Sequence, residues 1–298
     1  MLYSYPKLSK LDFSFFRFLG RGLCNLLFPW ARSVLATRKY GLTPIAPTWF
    51  QIKLGPILRN EADNRFYFNL FKKNPEEISG IKKPIVLLKY SLVTEDYVEY
   101  LKSGISPQQN GIKIIVFTGT KDFFNSIITD HALLYDELLK ITRDEHKTGL
   151  TFDFRKSISV HIRLGDFKEV RNVTPMAWYI NTLSQLRVAL GSDWPIYVFS
   201  DGTDEELMPV TRLPNTTRLT FGSSLADLLA LSRAHLLIGT ARSTFSQWAS
   251  FLGRMPVIWP KGSLTQRLYY NNPLLEIECA EEDKLPEHFI SACKQNAE

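Results

Sequence analysis

Apolar runs of strand length alternate along this chain with stretches whose apolar residues recur every three or four positions, a pattern that predicts an α/β protein. In the first half, the run Phe13 to Leu19 predicts a strand, followed by a turn at Gly20-Arg21-Gly22. A helix is expected next, with Leu23, Leu27, Trp30 and Val34 on one face and Gly41 placed to end it. Pro84–Lys89 and Ile112–Thr118 read as short strands, and Leu134, Leu138 and Ile141 mark one face of a further helix. The polar stretch Arg143 to Gly149 predicts a domain boundary, dividing the chain into residues 1–148 and 149–298.

The second half has the sharper pattern. Ser157 to Arg163 alternates as a strand does. Thr174 is expected as an N-cap with Pro175 in the first turn, Tyr179, Leu183, Leu186 and Leu190 facing the core, and Gly191 past the end. Strands at Ile196–Phe199, Leu236–Ile238 and Val257–Trp259, the last closed by Pro260, are separated by helices at Leu225–Ala234 and Ser243–Leu252. This β-α-β-α-β order predicts a doubly wound parallel sheet.

The strand ends carry the candidate chemistry. In Val160-His161-Ile162-Arg163-Leu164-Gly165-Asp166, alternation puts Ser159, His161 and Arg163 on one face, with Arg163 at the carboxyl end. Ligands of open α/β sheets bind outside those ends, and a guanidinium fork suits a diphosphate. A core histidine and an arginine paired with Asp166 is the structural alternative. Ile238-Gly239-Thr240-Ala241-Arg242-Ser243-Thr244-Phe245 leads from a strand into an amphipathic helix whose N-terminus favours an anion. Simple N-capping by Ser243 is compatible with that use. Ser200-Asp201-Gly202 forms a polar turn after a strand, and Asp227 stands in an otherwise apolar helical stretch where it needs a partner, either a guanine edge or a salt bridge. Gly20-Arg21-Gly22-Leu23-Cys24-Asn25 starts like a dinucleotide loop, but Asn25 replaces the third glycine, which disfavours NAD. No Walker loop, Gly-x-Ser-x-Gly elbow or Asp-x-Asp pair occurs.

Composition and charge narrow the classes. With 45% hydrophobic and 22% charged residues in 298, the chain reads as an ordinary globular protein. It has no apolar stretch of membrane-spanning length and no signal-like N-terminus. Cys24, Cys279 and Cys293 are an odd number without metal spacing, which points to a reducing compartment, and the expected location is cytoplasmic. The Asn-x-Thr triplets at Asn172 and Asn215 then read as chance. The net charge of +6 is unevenly spread: residues 1–60 hold nine Lys or Arg against the single acid Asp12, and residues 276–298 hold seven acids and two lysines. The basic segment is a candidate for peripheral contact with the inner face of a membrane, against a plainly solvated surface. No nucleic-acid module is recognisable.

Val160 to Phe167 resembles the His-x-Arg-Arg-Gly-Asp-Tyr motif of α-1,2-fucosyltransferases and their relatives, the α-1,6- and protein O-fucosyltransferases. Gly22-Leu23-Cys24-Asn25-Leu26-Leu27-Phe28 resembles that group's Gly-Leu-Gly-Asn-Gln-Leu-Phe signature, and Asp227 to Phe251 is similar to its Asp-…-Ser-…-Ser-Phe-Ser-Trp-Trp block. The resemblance implies an α/β fold of glycosyltransferase-B type, two Rossmann-like domains facing a cleft, with the donor held mainly by the second. It implies an inverting fucosyltransferase that needs no metal or cofactor, uses GDP-fucose, and acts on a glycan acceptor in surface polysaccharide synthesis. Position by position, it implies that Arg163 binds the diphosphate, His161 and Asp227 the guanine, and Ser243, Thr244 and Phe245 the phosphate, with Gly22 and Asn25 near the sugar. Ser200 and Asp201 join the donor-binding candidates from their turn. Glu169 is the expected catalytic base and Asp166 its neighbour, with Asp63 as the next candidate. Leu164, Cys24, Leu26 and Gln247 depart from the family pattern, which bears on sugar, linkage and acceptor more than on the diphosphate. The competing reading is a non-catalytic binder of nucleotide or polyanionic glycan.

Overall fold

The computed structural model describes residues 1–52, 66–103, 111–165, 173–264, 266–269 and 271–295. Asp63, Asp166, Glu169 and Asn172 lie outside the described residues. The chain divides into two compact units, Met1–Arg143 and Asp144–Glu298.

The first unit is built on a strand the hydrophobic pattern did not mark, β1 (Leu2–Lys7), whose Tyr3, Ser4 and Tyr5 are buried. It pairs in parallel with β4 (Thr43–Pro44) on one side and β7 (Lys113–Thr118) on the other, and β6 (Ser91–Thr94) closes the sheet order β4-β1-β7-β6. Neighbouring residues of β7 serve opposite faces: Ile114 packs with Tyr3, Tyr5 and Ile45, and Ile115 with Ala36, Leu42 and Phe117. Helix α1 (Leu23–Tyr40) buries Leu23, Leu27 and Trp30 as expected, and Gly41 ends it in the left-handed conformation at φ 62°. The expected helix face of Leu134, Leu138 and Ile141 is buried on α4 (His131–Ile141).

Two expectations fail here. Phe13 to Leu19 is not one strand but a hairpin of two short strands, β2 (Leu11–Asp12) and β3 (Arg17–Phe18), with β5 (Gln51–Ile52) beside β3. The Asp12 carboxylate accepts the Ser14 N–H at 2.9 Å, and Ser14 turns to φ 71°, so a side chain outcompetes the ladder for the backbone. Pro84–Lys89 is helical, inside α2 (Lys82–Lys89), with the strand following as β6. Its proline sits in the first turn, where the missing N–H costs nothing, and a short apolar run has no period that separates strand from helix. Helix α3 (Tyr97–Lys102) links β6 toward β7.

In the second unit, six parallel strands run in the order β10-β9-β8-β11-β12-β13, where β8 is Ile158–Ile162, β9 Ile196–Ser200, β10 Thr216–Arg218, β11 Leu236–Ile238, β12 Val257–Pro260 and β13 Glu276–Cys279. In chain order this is 3-2-1-4-5-6, the doubly wound arrangement, whose direction reverses between β8 and β11. Ile158, Val160 and Ile162 pack against Trp178, Tyr179, Leu183 and Leu186 of α5 (Met176–Leu190). Each such buried side chain contributes about 1.5–3 kcal/mol. Helices α6 (Asp204–Thr211), α7 (Ser224–Leu231), α8 (Thr244–Gly253) and α9 (Glu287–Gln295) complete the unit. The sequence pattern missed β10, β13, α6 and α9. The N-cap of α5 is Pro175 rather than Thr174, because the Thr174 hydroxyl instead accepts the Ala241 N–H at 3.2 Å.

Candidate functional site

The reversal point of the second sheet brings two of the sequence motifs together. Arg163 follows β8, and Thr240 to Ser243 follow β11, its neighbour on the far side of the reversal. Thr240 joins them. Its hydroxyl donates to the His161 carbonyl at 2.6 Å, accepts the Arg163 N–H at 3.0 Å, and lies 2.9 Å from the Tyr179 hydroxyl. The Thr240 N–H donates in turn to the Ser246 hydroxyl at 3.2 Å. Thr240 is fully buried, so each of these bonds replaces hydration the group has lost. Neither Thr240 nor Tyr179 stood out in the sequence as a site residue. Thr240 was legible only as one letter of a loop.

Arg163 is held from its other side by the β9 turn. Its Nη1 lies 2.7 Å from Asp201 Oδ2, and Asp201 Oδ1 accepts the Leu164 N–H at 2.9 Å. The pair is partly exposed, at 22% for Arg163 and 29% for Asp201, so both charges sit at the rim of the unit. Asp201 is thus a partner of Arg163 that sequence reasoning did not name. Gly165 makes room for it: a Cβ there would fall 2.3 Å from Asp201 Oδ2. Ser200 turns inward, donating to the Ile162 carbonyl at 2.6 Å and accepting the Gly202 N–H at 3.0 Å, which pins the ends of β8 and β9 together.

His161 points into the protein. Its Nδ1 is 2.6 Å from Ser246 Oγ, and its ring stacks on Phe245 at 4.8 Å between centroids. Burial, helped by the nearby Arg163 charge, pushes its pKa down to about 3, so the ring is neutral at physiological pH. Ser243 is the N-cap of α8 and is buried, yet its side chain makes no capping bond among the described residues. The alternative of simple N-capping by its side chain is therefore not what the described residues show. Thr244 and Phe245 are half-buried in that turn. Gly239 is dictated by packing: a Cβ would lie 2.1 Å from the buried Trp259 ring.

Asp227 finds partners in the loop before its own helix. Its carboxylate accepts the Phe221 N–H at 2.5 Å and the Thr220 hydroxyl at 3.2 Å, folding that loop onto α7. In the first unit, Gly22 is the N-cap of α1, with nothing within 4 Å of where its Cβ would stand, and the Asn25 N–H donates to its carbonyl at 3.0 Å. The motif thus forms the opening turn of a helix, as its sequence suggested. Arg163, Asp201, Ser200, His161, Ser243, Thr244 and Phe245 gather at one edge of the second sheet, with Asp227 on α7 of the same unit.

No protein-family model matches the chain, and no curated protein matches it. Solved structures do. The chain is similar to FUT1 of Arabidopsis thaliana in complex with GDP, at 12% identity and a TM-score of 0.50 over 89% of this chain and 72% of that one. It is similar to POFUT1 in complex with GDP-fucose, at 11% identity and a TM-score of 0.50 over 87% and 97%. The fucosyltransferase NodZ from Bradyrhizobium aligns at 13% identity and a TM-score of 0.48 over 88% and 97%. The likeness to the first two is one of fold, and it bears out the α/β class of glycosyltransferase-B type expected from the sequence.

Proposed function

We propose that the chain is an inverting glycosyltransferase that moves fucose from GDP-fucose to a glycan acceptor without a metal ion, in surface polysaccharide synthesis. The observation that carries this reading is Arg163 at the reversal point of a 3-2-1-4-5-6 sheet, fixed by Thr240 and Asp201 beside the N-terminus of α8, whose N-cap side chain makes no capping bond among the described residues. Both features suit a diphosphate, and the proteins of like fold were solved with GDP or GDP-fucose.

In the proposed reaction the acceptor oxygen attacks the sugar's anomeric carbon from the face opposite the diphosphate. The bond from that carbon to the leaving phosphate oxygen breaks, and its electron pair stays with the diphosphate. Arg163 and the first-turn N–H groups of α8, flanked by Ser243, Thr244 and Phe245, stabilise the charge that develops there. Because Thr240 and Asp201 hold Arg163 beforehand, little reorganisation is needed as that charge appears. His161, neutral, keeps α8 in place through Ser246 and Phe245, and Asp227 is the candidate for selecting the base. The acceptor's proton passes to a carboxylate, for which Glu169, then Asp166, are the candidates just past β8.

With charge neutralised by a guanidinium and a helix N-terminus, GDP-fucose should release GDP at an unchanged rate in excess EDTA. Binding of GDP-fucose without any GDP release, with or without acceptor, would instead make the protein a nucleotide-binding module. Loss of turnover on chelation, restored by magnesium or manganese, would place it in a metal-dependent class.

A further inference from the structure

The hairpin of β2 and β3 has two unlike sides. Arg17 is fully buried and ties the inner side down, donating from Nε to the Thr48 carbonyl at 2.9 Å and from Nη1 to the Leu19 carbonyl and Gln51. The outer side presents Leu11, Phe13, Phe15, Phe18 and Leu19, all between 39% and 64% exposed. Phe13, Phe16 and Phe18 pack on one another at 5.4–6.0 Å between centroids, forming an aromatic knob on the surface. A contiguous exposed patch of this kind marks a contact surface.

Charge says what covers it. Asp12, the one acid among the first 60 residues, is turned inward, accepting from the Tyr5 hydroxyl at 2.8 Å and the Thr48 hydroxyl at 2.6 Å. It therefore does little to offset the bracketing cations Lys7, Lys10 and Arg21, of which Lys10 and Arg21 are exposed. A symmetric dimer through this face would press two basic rims together. Aromatic and aliphatic tips within a basic rim fit the interface of an anionic bilayer, where each nearby cation adds to the attraction. No described helix is long and apolar enough to cross a membrane. We propose that the β2–β3 hairpin is a peripheral membrane anchor that seats Phe13, Phe15 and Leu19 among the lipids, with Lys7, Lys10 and Arg21 at their phosphates.

Co-sedimentation of the full chain with vesicles tests this directly. Vesicles of phosphatidylcholine with about 30 mol% phosphatidylglycerol should retain the protein at low salt and release much of it at high salt, and phosphatidylcholine alone should retain little. The variant Phe13→Ser/Phe15→Ser/Leu19→Ser should partition about tenfold more weakly or worse, with an unchanged melting midpoint. A Phe15→Trp variant keeps the apolar tip, and its emission in excess of the parent's should shift to the blue on anionic vesicles only. Failure to bind anionic vesicles, no shift in the emission that the Phe15→Trp substitution adds, or burial of the patch in a dimer without lipid would overturn the proposal. Since no donor is present, the outcome is independent of the transferase reading.

Discussion

The strand-end site of the second unit and the hairpin support of the first treat buried polarity in opposite ways. At the sheet edge of the second unit, the enclosed polar groups are neutral: Thr240, Ser246, Tyr179 and a His161 held uncharged. The charges, Arg163 and Asp201, stay at the partly exposed rim. In the first unit the charges themselves are inside. Arg17 is 0% exposed and Lys83 2%, with Lys83 Nζ 2.6 Å from the Thr48 hydroxyl and 4.9 Å from the centre of the Tyr5 ring. A buried cation bonded through Nε and Nη1 inside the fold serves the hairpin. A rim cation fixed on a neutral, fully bonded support is available to a ligand. Burial, not residue type, separates the structural arginine from the candidate catalytic one.

The largest effect should come from the rim. Arg163→Ala should lower transfer by 10²–10³, about 3–4 kcal/mol, with an unchanged melting midpoint, and Arg163→Lys should fail nearly as badly for want of the fork. Arg17→Ala should do the reverse, lowering the midpoint sharply. If initial rates survive in Arg163→Ala, the contrast collapses.

Lys83 sharpens the contrast through pH. Burial pulls its pKa down to about 8 from 10.5, against the opposing pull of Asp12 and Glu77. A depressed folded-state pKa means a contribution that is complete above about pH 10.5 and lost as pH falls towards 8. Lys83→Met removes that dependence, so denaturant titrations should show the variant gaining on the parent by about 2 kcal/mol between pH 10 and pH 7.5. A gap that does not change with pH would mean that Lys83 is hydrated in the folded state.

Thr240→Val is a smaller change and probes the neutral support. It keeps the shape and removes the bonds to the His161 carbonyl, the Arg163 N–H and the Tyr179 hydroxyl. The expected cost is about 2 kcal/mol in urea unfolding, with a loss of turnover beyond what the remaining folded fraction explains. Unfolding unchanged within error would show that water replaces the threonine.

Much of the second unit was legible because its strands are short, apolar and separated by helices of clear period. β8, β9, β11 and β12 stand where the pattern put them, and the His161, Arg163 and Ser243 motifs fell at strand ends by simple alternation. The first unit resisted the same reading. β1 mixes Tyr3, Ser4, Tyr5 and Pro6, so its burial on both faces leaves no apolar run to find, and α2 carries one too short to have a period. The hairpin misled because Asp12 takes a backbone N–H that a strand would have paired.

By itself, then, the order of residues determined the local chemistry: which stretches fold as parallel β-α units, where an arginine follows a strand, and where a helix begins next to a glycine. Those properties are set within about ten residues by side-chain size, period and backbone freedom. Only the tertiary structure decided the partners. Arg163 pairs with Asp201, Thr240 joins His161 to Tyr179, and Asp227 folds its own loop, all through bonds whose strength depends on the water excluded around them. Exclusion of water belongs to the packed unit as a whole. The same guanidinium is therefore sealed inside at position 17 and presented at position 163.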